Sequence, residues 1–218
     1  MIRAVLFDFD GTLLNTNDLI FASYSHGFLR GLGRDITPEE RISLYGRPLY
    51  DSLAVYGDKQ DLIYQNYREF QLANSKRLTK KFPNTEEAVH MLRSNHILTG
   101  IVTSKRYDTM IKGIEFLGLD GCFDICITPA DTQKHKPDPE PVLLACRRLN
   151  ISPSEALMVG DSVFDLLCGS RAGAMTAGVK YSTTLDALLA LEPDLMGEDL
   201  LDLARQVLSY NEREAHHE

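Results

Sequence analysis

Phe7-Asp8-Phe9-Asp10-Gly11-Thr12 closes the first apolar run of the chain, Ala4-Val5-Leu6-Phe7. Four apolar residues without alternation suit a parallel strand buried on both faces, and such a strand has no folding reason to carry two anions at its tip. Each carboxylate drawn out of water costs several kcal/mol unless a cation or hydrogen-bond donors offset it, so a divalent metal is the simplest partner for the pair. A lone Asp-x-Asp-Gly is equally a strand end running into a solvated turn. What the other strand ends carry decides between the two readings.

After Phe82-Pro83 helix and strand alternate. Helices are expected from about Thr85 to Arg93, Asp108 to Leu117 with Gly118 as the stop, Pro141 to Leu149, and Leu166 to Arg171 ending near Gly173. Between them lie strand-like runs at Ile97–Val102, Phe123–Ile127 and Ala156–Val159, with short elements after them and a fraying tail from Asn211 to Glu218. Strand, crossover helix and strand in repetition predict an α/β fold, a Rossmann-like parallel sheet with helices on both faces. Residues 15–81 read differently. Thr37-Pro38-Glu39-Glu40 has the form of a capping box, Asp58 to Lys76 lacks Pro and Gly, and no convincing strand occurs. The expectation is therefore a small all-helical domain of residues 15–81 inserted into a core of residues 1–14 and 82–218.

Ligands of open parallel sheets sit at the carboxyl ends of the strands. The run ending at Val102 is followed by Thr103-Ser104-Lys105, whose hydroxyls and amides offer a seat for an oxyanion. The run ending at Ile127 leads to Lys134-His135-Lys136-Pro137-Asp138-Pro139, where a lysine before proline is aimed with little entropy loss. The run ending at Val159 carries Gly160-Asp161-Ser162-Val163-Phe164-Asp165. Alone, each is a helix cap, a surface lysine or a turn. Carboxylates, hydroxyls and a lysine converging on one rim point together to a functional site.

Composition narrows the classes further. With 23 basic and 31 acidic residues the net charge is −8, which argues against general nucleic-acid binding, and no apolar stretch reaches membrane-spanning length. Met1-Ile2-Arg3 runs into the first strand with no cleavage site, so a cytoplasmic protein without a membrane partner is expected. Cys122, Cys126, Cys146 and Cys168 lack paired-ligand spacing and read as reduced thiols. Residues 15–81 hold ten Lys/Arg against eight Asp/Glu, a charge of +2, while the rest holds thirteen against twenty-three, −10. The inserted segment can thus present cations to a small anion.

In order and over the whole chain, these motifs resemble the haloacid dehalogenase superfamily: Asp8-Phe9-Asp10-Gly11-Thr12, Thr103, Lys136, and Gly160-Asp161-Ser162-x-x-Asp165. Within it, Gly46-x-Pro48-Leu49-Tyr50-Asp51, Tyr67-Arg68-Glu69-Phe70 and Lys136-Pro137-Asp138-Pro139-Glu140-Pro141-Val142 are most similar to PpaX-type pyrophosphatases, with phosphoglycolate phosphatases next. Arg47 departs from the pyrophosphatase pattern, in which that position is not basic. The resemblance implies a small helical cap over residues 15–81 and a Mg²⁺ ion held by Asp8, Asp10 through its main-chain carbonyl, Asp161 and Asp165. It implies Asp8 as the nucleophile that forms an aspartyl-phosphate, Asp10 as general acid and base, and Gly11, Thr103, Ser104 and Lys136 around the phosphoryl group.

Specificity is expected from the helical segment. Arg47 is the first candidate, followed by Arg68, Asn15 and Asn17, with Lys76, Arg77, Lys80 and Lys81 near the return to the core. The histidines lack metal-ligand spacing. Pyrophosphate leads as substrate, phosphoglycolate or another small phosphomonoester follows, and the protein is expected as a monomer or weak homodimer. A phosphomutase sharing Asp8 and Asp10, and a regulator that binds phosphate without turnover, remain as the other classes.

Overall fold

The computed structural model describes residues 1–215. In chain order the strands are β1 (Ala4–Phe7), β2 (Leu14–Asn15), β3 (Lys80–Lys81), β4 (Leu98–Val102), β5 (Ile125–Ile127), β6 (Ala156–Gly160), β7 (Met175–Val179) and β8 (Leu195–Gly197). The helices are α1 (Asn17–Leu32), α2 (Pro38–Leu44), α3 (Leu49–Ser52), α4 (Gln60–Leu78), α5 (Thr85–Ser94), α6 (Tyr107–Leu117), α7 (Glu140–Leu149), α8 (Val163–Ala172), α9 (Leu185–Leu189) and α10 (Leu200–Ala215). The chain divides into two compact units, one of Met1–Leu14 with everything from Lys81 onward, the other of Asn15–Lys80.

The larger unit is a six-stranded sheet in the order β5-β4-β1-β6-β7-β8, every pair parallel. β1 lies inside it, Ala4 to Phe7 facing Leu98 to Ile101 on one side and Ala156 to Val159 on the other. Its unalternating sequence follows from burial on both faces. Val5 and Phe7 join Val89, Leu92, Met110, Ile114, Leu203 and Val207 of α5, α6 and α10, whereas Leu6 joins Val142, Ala145 and Cys168 of α7 and α8. β6 divides in the same way, Leu157 and Val159 to the first layer, Ala156 and Met158 to the second.

The smaller unit is built on α1 and α4. Ile20, Tyr24 and Phe28 repeat every fourth residue along α1 and pack with Ile63 and Tyr67 of α4. Close approach of the two helices uses glycine: a Cβ at Gly27 would stand 2.9 Å from the Ile63 carbonyl oxygen, and one at Gly31 2.5 Å from Ile63 Cγ1. The Thr37 box closes as its sequence predicts, with Glu40 N donating to Thr37 Oγ1 at 3.2 Å and Thr37 N donating to Glu40 Oε2 at 2.9 Å.

Three expectations fail. The chain after Gly173 is not a set of short pieces; it adds two parallel strands and the 16-residue α10. Asn211, placed in a fraying tail, is helical, and its side chain accepts from Ile2 N at 2.6 Å and donates to Ile2 O at 2.7 Å, fastening α10 to the start of β1. Glu212 to Ala215 continue α10, and the last tail residues, His216, His217 and Glu218, lie outside the described residues. Two short strands, β2 and β3, also stand where residues 15–81 give no strand signal, since two-residue pairings leave no period to read. Among the described residues no helix is long and apolar enough to cross a membrane.

Candidate active site

β1 and β4 end side by side, as do β1 and β6, so the residues that follow them share one rim. Asp8 N continues the ladder by donating to Val159 O at 2.8 Å, and Thr103 N donates to Ile127 O at 3.0 Å. Gly11 turns the chain back after Asp10 with φ 79°, a backbone conformation that costs glycine nothing, and its N–H donates to Leu14 O at 2.9 Å.

At this rim Asp8, Asp161 and Asp165 each offer a carboxylate oxygen, all within 4.8 Å of one another and all buried. Lys136, 4% exposed, reaches in from the loop before α7. Its Nζ donates to Asp8 Oδ1 at 2.6 Å, Asp165 Oδ1 at 2.5 Å and Val102 O at 3.1 Å. Asp165 caps α8 from its third position: its Oδ2 accepts from Ser162 N at 3.0 Å and Ser162 Oγ at 2.6 Å. Asp161 Oδ1 accepts from Thr12 Oγ1 at 3.2 Å, while its carbonyl accepts from Ser182 Oγ at 2.6 Å and Thr184 Oγ1 at 3.1 Å.

Three buried carboxylates against one buried ammonium leave a surplus of negative charge. Burial, followed by the neighbouring Asp165 charge, pushes the Asp8 carboxyl up to about 7 even though Lys136 opposes the shift. Burial acts to lower Lys136, but the Asp165 and Asp8 carboxylates outweigh it and raise the lysine above its ordinary value. The donor set is all hard oxygen, close enough to share one ion, and short of positive charge. These residues fit a divalent cation of the Mg²⁺ or Ca²⁺ kind.

Thr103, nearly buried, and half-buried Ser104 line a small depression with Thr128, Thr132, His135 and Lys136. Its hydroxyls and ammonium suit an anion. Asp10 stands beside the carboxylate cluster in sequence and is held from the next strand: Lys105 Nζ donates to both its oxygens, at 2.6 Å and 2.8 Å. Lys105 is expected from sequence only as the third residue of the Thr103-Ser104-Lys105 oxyanion seat, with no role for its ammonium, although a lysine two residues past a strand-ending threonine is an available signal. Thr12 stands in the first motif with no role of its own, and Tyr181 is not among the sequence candidates. Tyr181 stacks on Phe82 at 4.0 Å and donates to Thr12 O at 2.6 Å, and nothing in its sequence setting marks it.

The candidates in the helical unit are arranged separately. Arg47 is exposed in the loop between α2 and α3, directly after Gly46 with φ 83°. Asn17 is buried and accepts from Tyr45 OH at 2.6 Å, Arg68 donates to Gln71 Oε1 at 2.7 Å, and Arg77 donates to Asn74 Oδ1 at 2.9 Å. Asn15 lies in β2 and Lys76 in the last turn of α4. Lys80 pairs with Asp18 at 2.8 Å and, in the larger unit, Lys81 pairs with Glu86 at 2.6 Å.

The family model of the haloacid dehalogenase-like hydrolases matches residues 5–179. A Clostridium perfringens protein named "Putative pyrophosphatase PpaX" is 44% identical over 214 residues, 96% of this chain and 100% of that one. The Bacillus velezensis protein named "Pyrophosphatase PpaX" is 38% identical over 204 residues, 93% of this chain and 94% of that one. A solved haloacid dehalogenase-like family hydrolase from Streptococcus pneumoniae has the same fold, with a TM-score of 0.78 over 96% of this chain and 98% of that chain at 24% identity. The matched span opens in β1, closes at the end of β7 and takes in every strand end that builds the carboxylate rim, so the chain is an enzyme of the haloacid dehalogenase-like hydrolase family.

Proposed function

We propose that this enzyme is a Mg²⁺-dependent phosphohydrolase that works through an aspartyl-phosphate on Asp8, with inorganic pyrophosphate as its main substrate. The observation that carries the reading is the cluster of Asp8, Asp161 and Asp165 with Lys136 between Asp8 and Asp165. The names of the 44% and 38% identical relatives support pyrophosphate over other phosphates.

Asp8 Oδ attacks phosphorus in line, the P–O bond to the leaving group breaks, and its electron pair stays on the departing oxygen. Asp8, the Asp10 main-chain carbonyl and Asp161, with Asp165 behind them, would hold Mg²⁺, which supplies charge neutralisation and polarises a phosphoryl oxygen. Lys136 helps neutralise the attacked anion, and with the Thr103 hydroxyl and Ser104 amide it stabilises the equatorial oxygens. Asp10 protonates a leaving group that needs a proton, then takes one from the water that releases phosphate and restores Asp8. Residues 15–80 serve as a cap that excludes water from the first step, and Arg47 binds a second anionic group of the substrate.

Phosphate release from pyrophosphate, phosphoglycolate and a panel of phosphorylated metabolites, each assayed with Mg²⁺, tests the reading. Pyrophosphate should give the highest kcat/KM. A clear preference for phosphoglycolate or a sugar phosphate would discard pyrophosphate and leave the Asp8 chemistry standing, and turnover only in the presence of a sugar bisphosphate, without net phosphate release, would make the enzyme a mutase.

A further inference from the structure

We infer that Lys105 is a specificity-determining residue that favours leaving groups departing as anions, the phosphate of a phosphoanhydride above all; this rests on the reading of Asp10 as the group on the leaving side. Lys105 is not an ordinary surface lysine. Its side chain is 10% exposed, its backbone N–H donates to Thr103 Oγ1 at 3.1 Å, and its Nζ lies 5.8 Å from the centre of the fully buried Phe9 ring. The ring is itself fixed against α6, where a Cβ at Gly113 would fall 2.6 Å from two of its atoms. So held, the ammonium meets both oxygens of Asp10, at 2.6 Å and 2.8 Å.

An acid that serves only to protonate an alkoxide gains nothing from an ammonium on both its oxygens. A leaving group that keeps its negative charge does gain. When the bond from phosphorus to the bridging oxygen of pyrophosphate breaks, the electron pair and the charge remain on orthophosphate, and no proton from Asp10 is required. A desolvated ammonium beside Asp10 stabilises that growing charge more than it stabilises the starting substrate, which is the condition for raising kcat. An alcohol departs neutral after taking a proton from Asp10, and Lys105 does little for it. Pairing with Asp10 keeps the ammonium in place between turnovers and prevents an isolated buried cation.

The test compares Lys105→Met and Lys105→Arg with the wild type on pyrophosphate and on glycerol 2-phosphate, whose alcohol leaves neutral. Lys105→Met should lower kcat on pyrophosphate by about 10- to 100-fold and on glycerol 2-phosphate by less than about threefold, and Lys105→Arg should recover most of the pyrophosphate loss. If Lys105 merely orients Asp10, the order inverts, because glycerol 2-phosphate depends most on the acid; an equal or greater loss on it overturns the inference. A wild type that releases no phosphate from pyrophosphate would instead defeat the substrate reading. p-Nitrophenyl phosphate, whose phenol also departs as an anion, then replaces pyrophosphate, and the same order of losses decides the role of Lys105.

Discussion

Gly160 and Asp165 compete for one volume: a Cβ built at Gly160 would come within 2.5 Å of both Asp165 Cγ and Oδ2. The last residue of β6 is therefore glycine so that the α8 carboxylate can lie against the strand end and meet Lys136. Gly160→Ala should displace Asp165, weaken its pairing with Lys136 and cost about 1–3 kcal/mol of stability by overpacking. Turnover should fall by more than about tenfold under saturating Mg²⁺. Denaturant unfolding and kcat measured on one preparation check both effects, and a stable, fully active Gly160→Ala would show that Asp165 has room to spare.

Chelation tests the carboxylate cluster as a whole. With Asp8, Asp161 and Asp165 sharing one buried space, EDTA should abolish activity and Mg²⁺ should restore it. Ca²⁺ should inhibit, since it takes more ligands in looser geometry than an in-line transfer tolerates. Full turnover after exhaustive chelation would refute a metal-dependent mechanism.

How far the sequence reached depends on what kind of signal each element leaves. β1, β4 and β6 are buried on both faces, and uninterrupted apolar runs such as Ala4–Phe7 announce this directly. Helix stops were equally readable, because Gly118 and Gly173 adopt left-handed conformations with φ 75° and 81° that favour glycine. α10 was lost although its apolar stripe, Leu200, Leu203, Ala204 and Val207, has helical spacing; what its local pattern does not carry is its anchor, one asparagine side chain reaching back 209 residues. Asp8, Lys136, Asp161 and Asp165 stood out as charges at strand ends. The Thr12 hydroxyl on Asp161 and the Tyr181 hydroxyl on the Thr12 carbonyl are contacts made only by the folded chain, so although Thr12 stands in the first motif no local pattern carries its role or marks Tyr181.

Asp8→Asn separates catalysis from stability. Turnover should disappear almost completely, since an amide is isosteric with the carboxylate but a poor nucleophile. Stability should respond to pH in a defined direction. In the fold the Asp8 carboxyl is pushed up to about 7 from its ordinary 3.8, so between these pH values the metal-free folded protein holds a proton that the unfolded chain has lost. Its contribution is therefore fully present below about 4 and is lost as pH rises through 7. Relative to metal-free wild type, Asp8→Asn should gain stability from pH 5 to 7 and hold that gain above it. Thermal unfolding of the two proteins in EDTA across pH 5–8 measures the difference; a pH-independent gap would mean that Asp8 ionises in the fold as it does in water.

Arg47 carries the substrate reading outside the core. The inserted segment is the cationic part of an otherwise acidic protein, and Arg47 is exposed on a loop turned by Gly46, where a guanidinium can meet a phosphate through two parallel hydrogen bonds. If it binds the second phosphate of pyrophosphate, Arg47→Ala should raise KM for pyrophosphate by an amount worth about 1.5–3 kcal/mol, the value of a lost charge-assisted pair. p-Nitrophenyl phosphate has no second anionic group, so its KM should barely change. Arg47→Lys should recover part of the loss, because it keeps the charge and gives up the fork. Equal losses on both substrates would mean that Arg47 supports its loop and touches no substrate, and the second-anion reading would have to move to another cation of the helical unit.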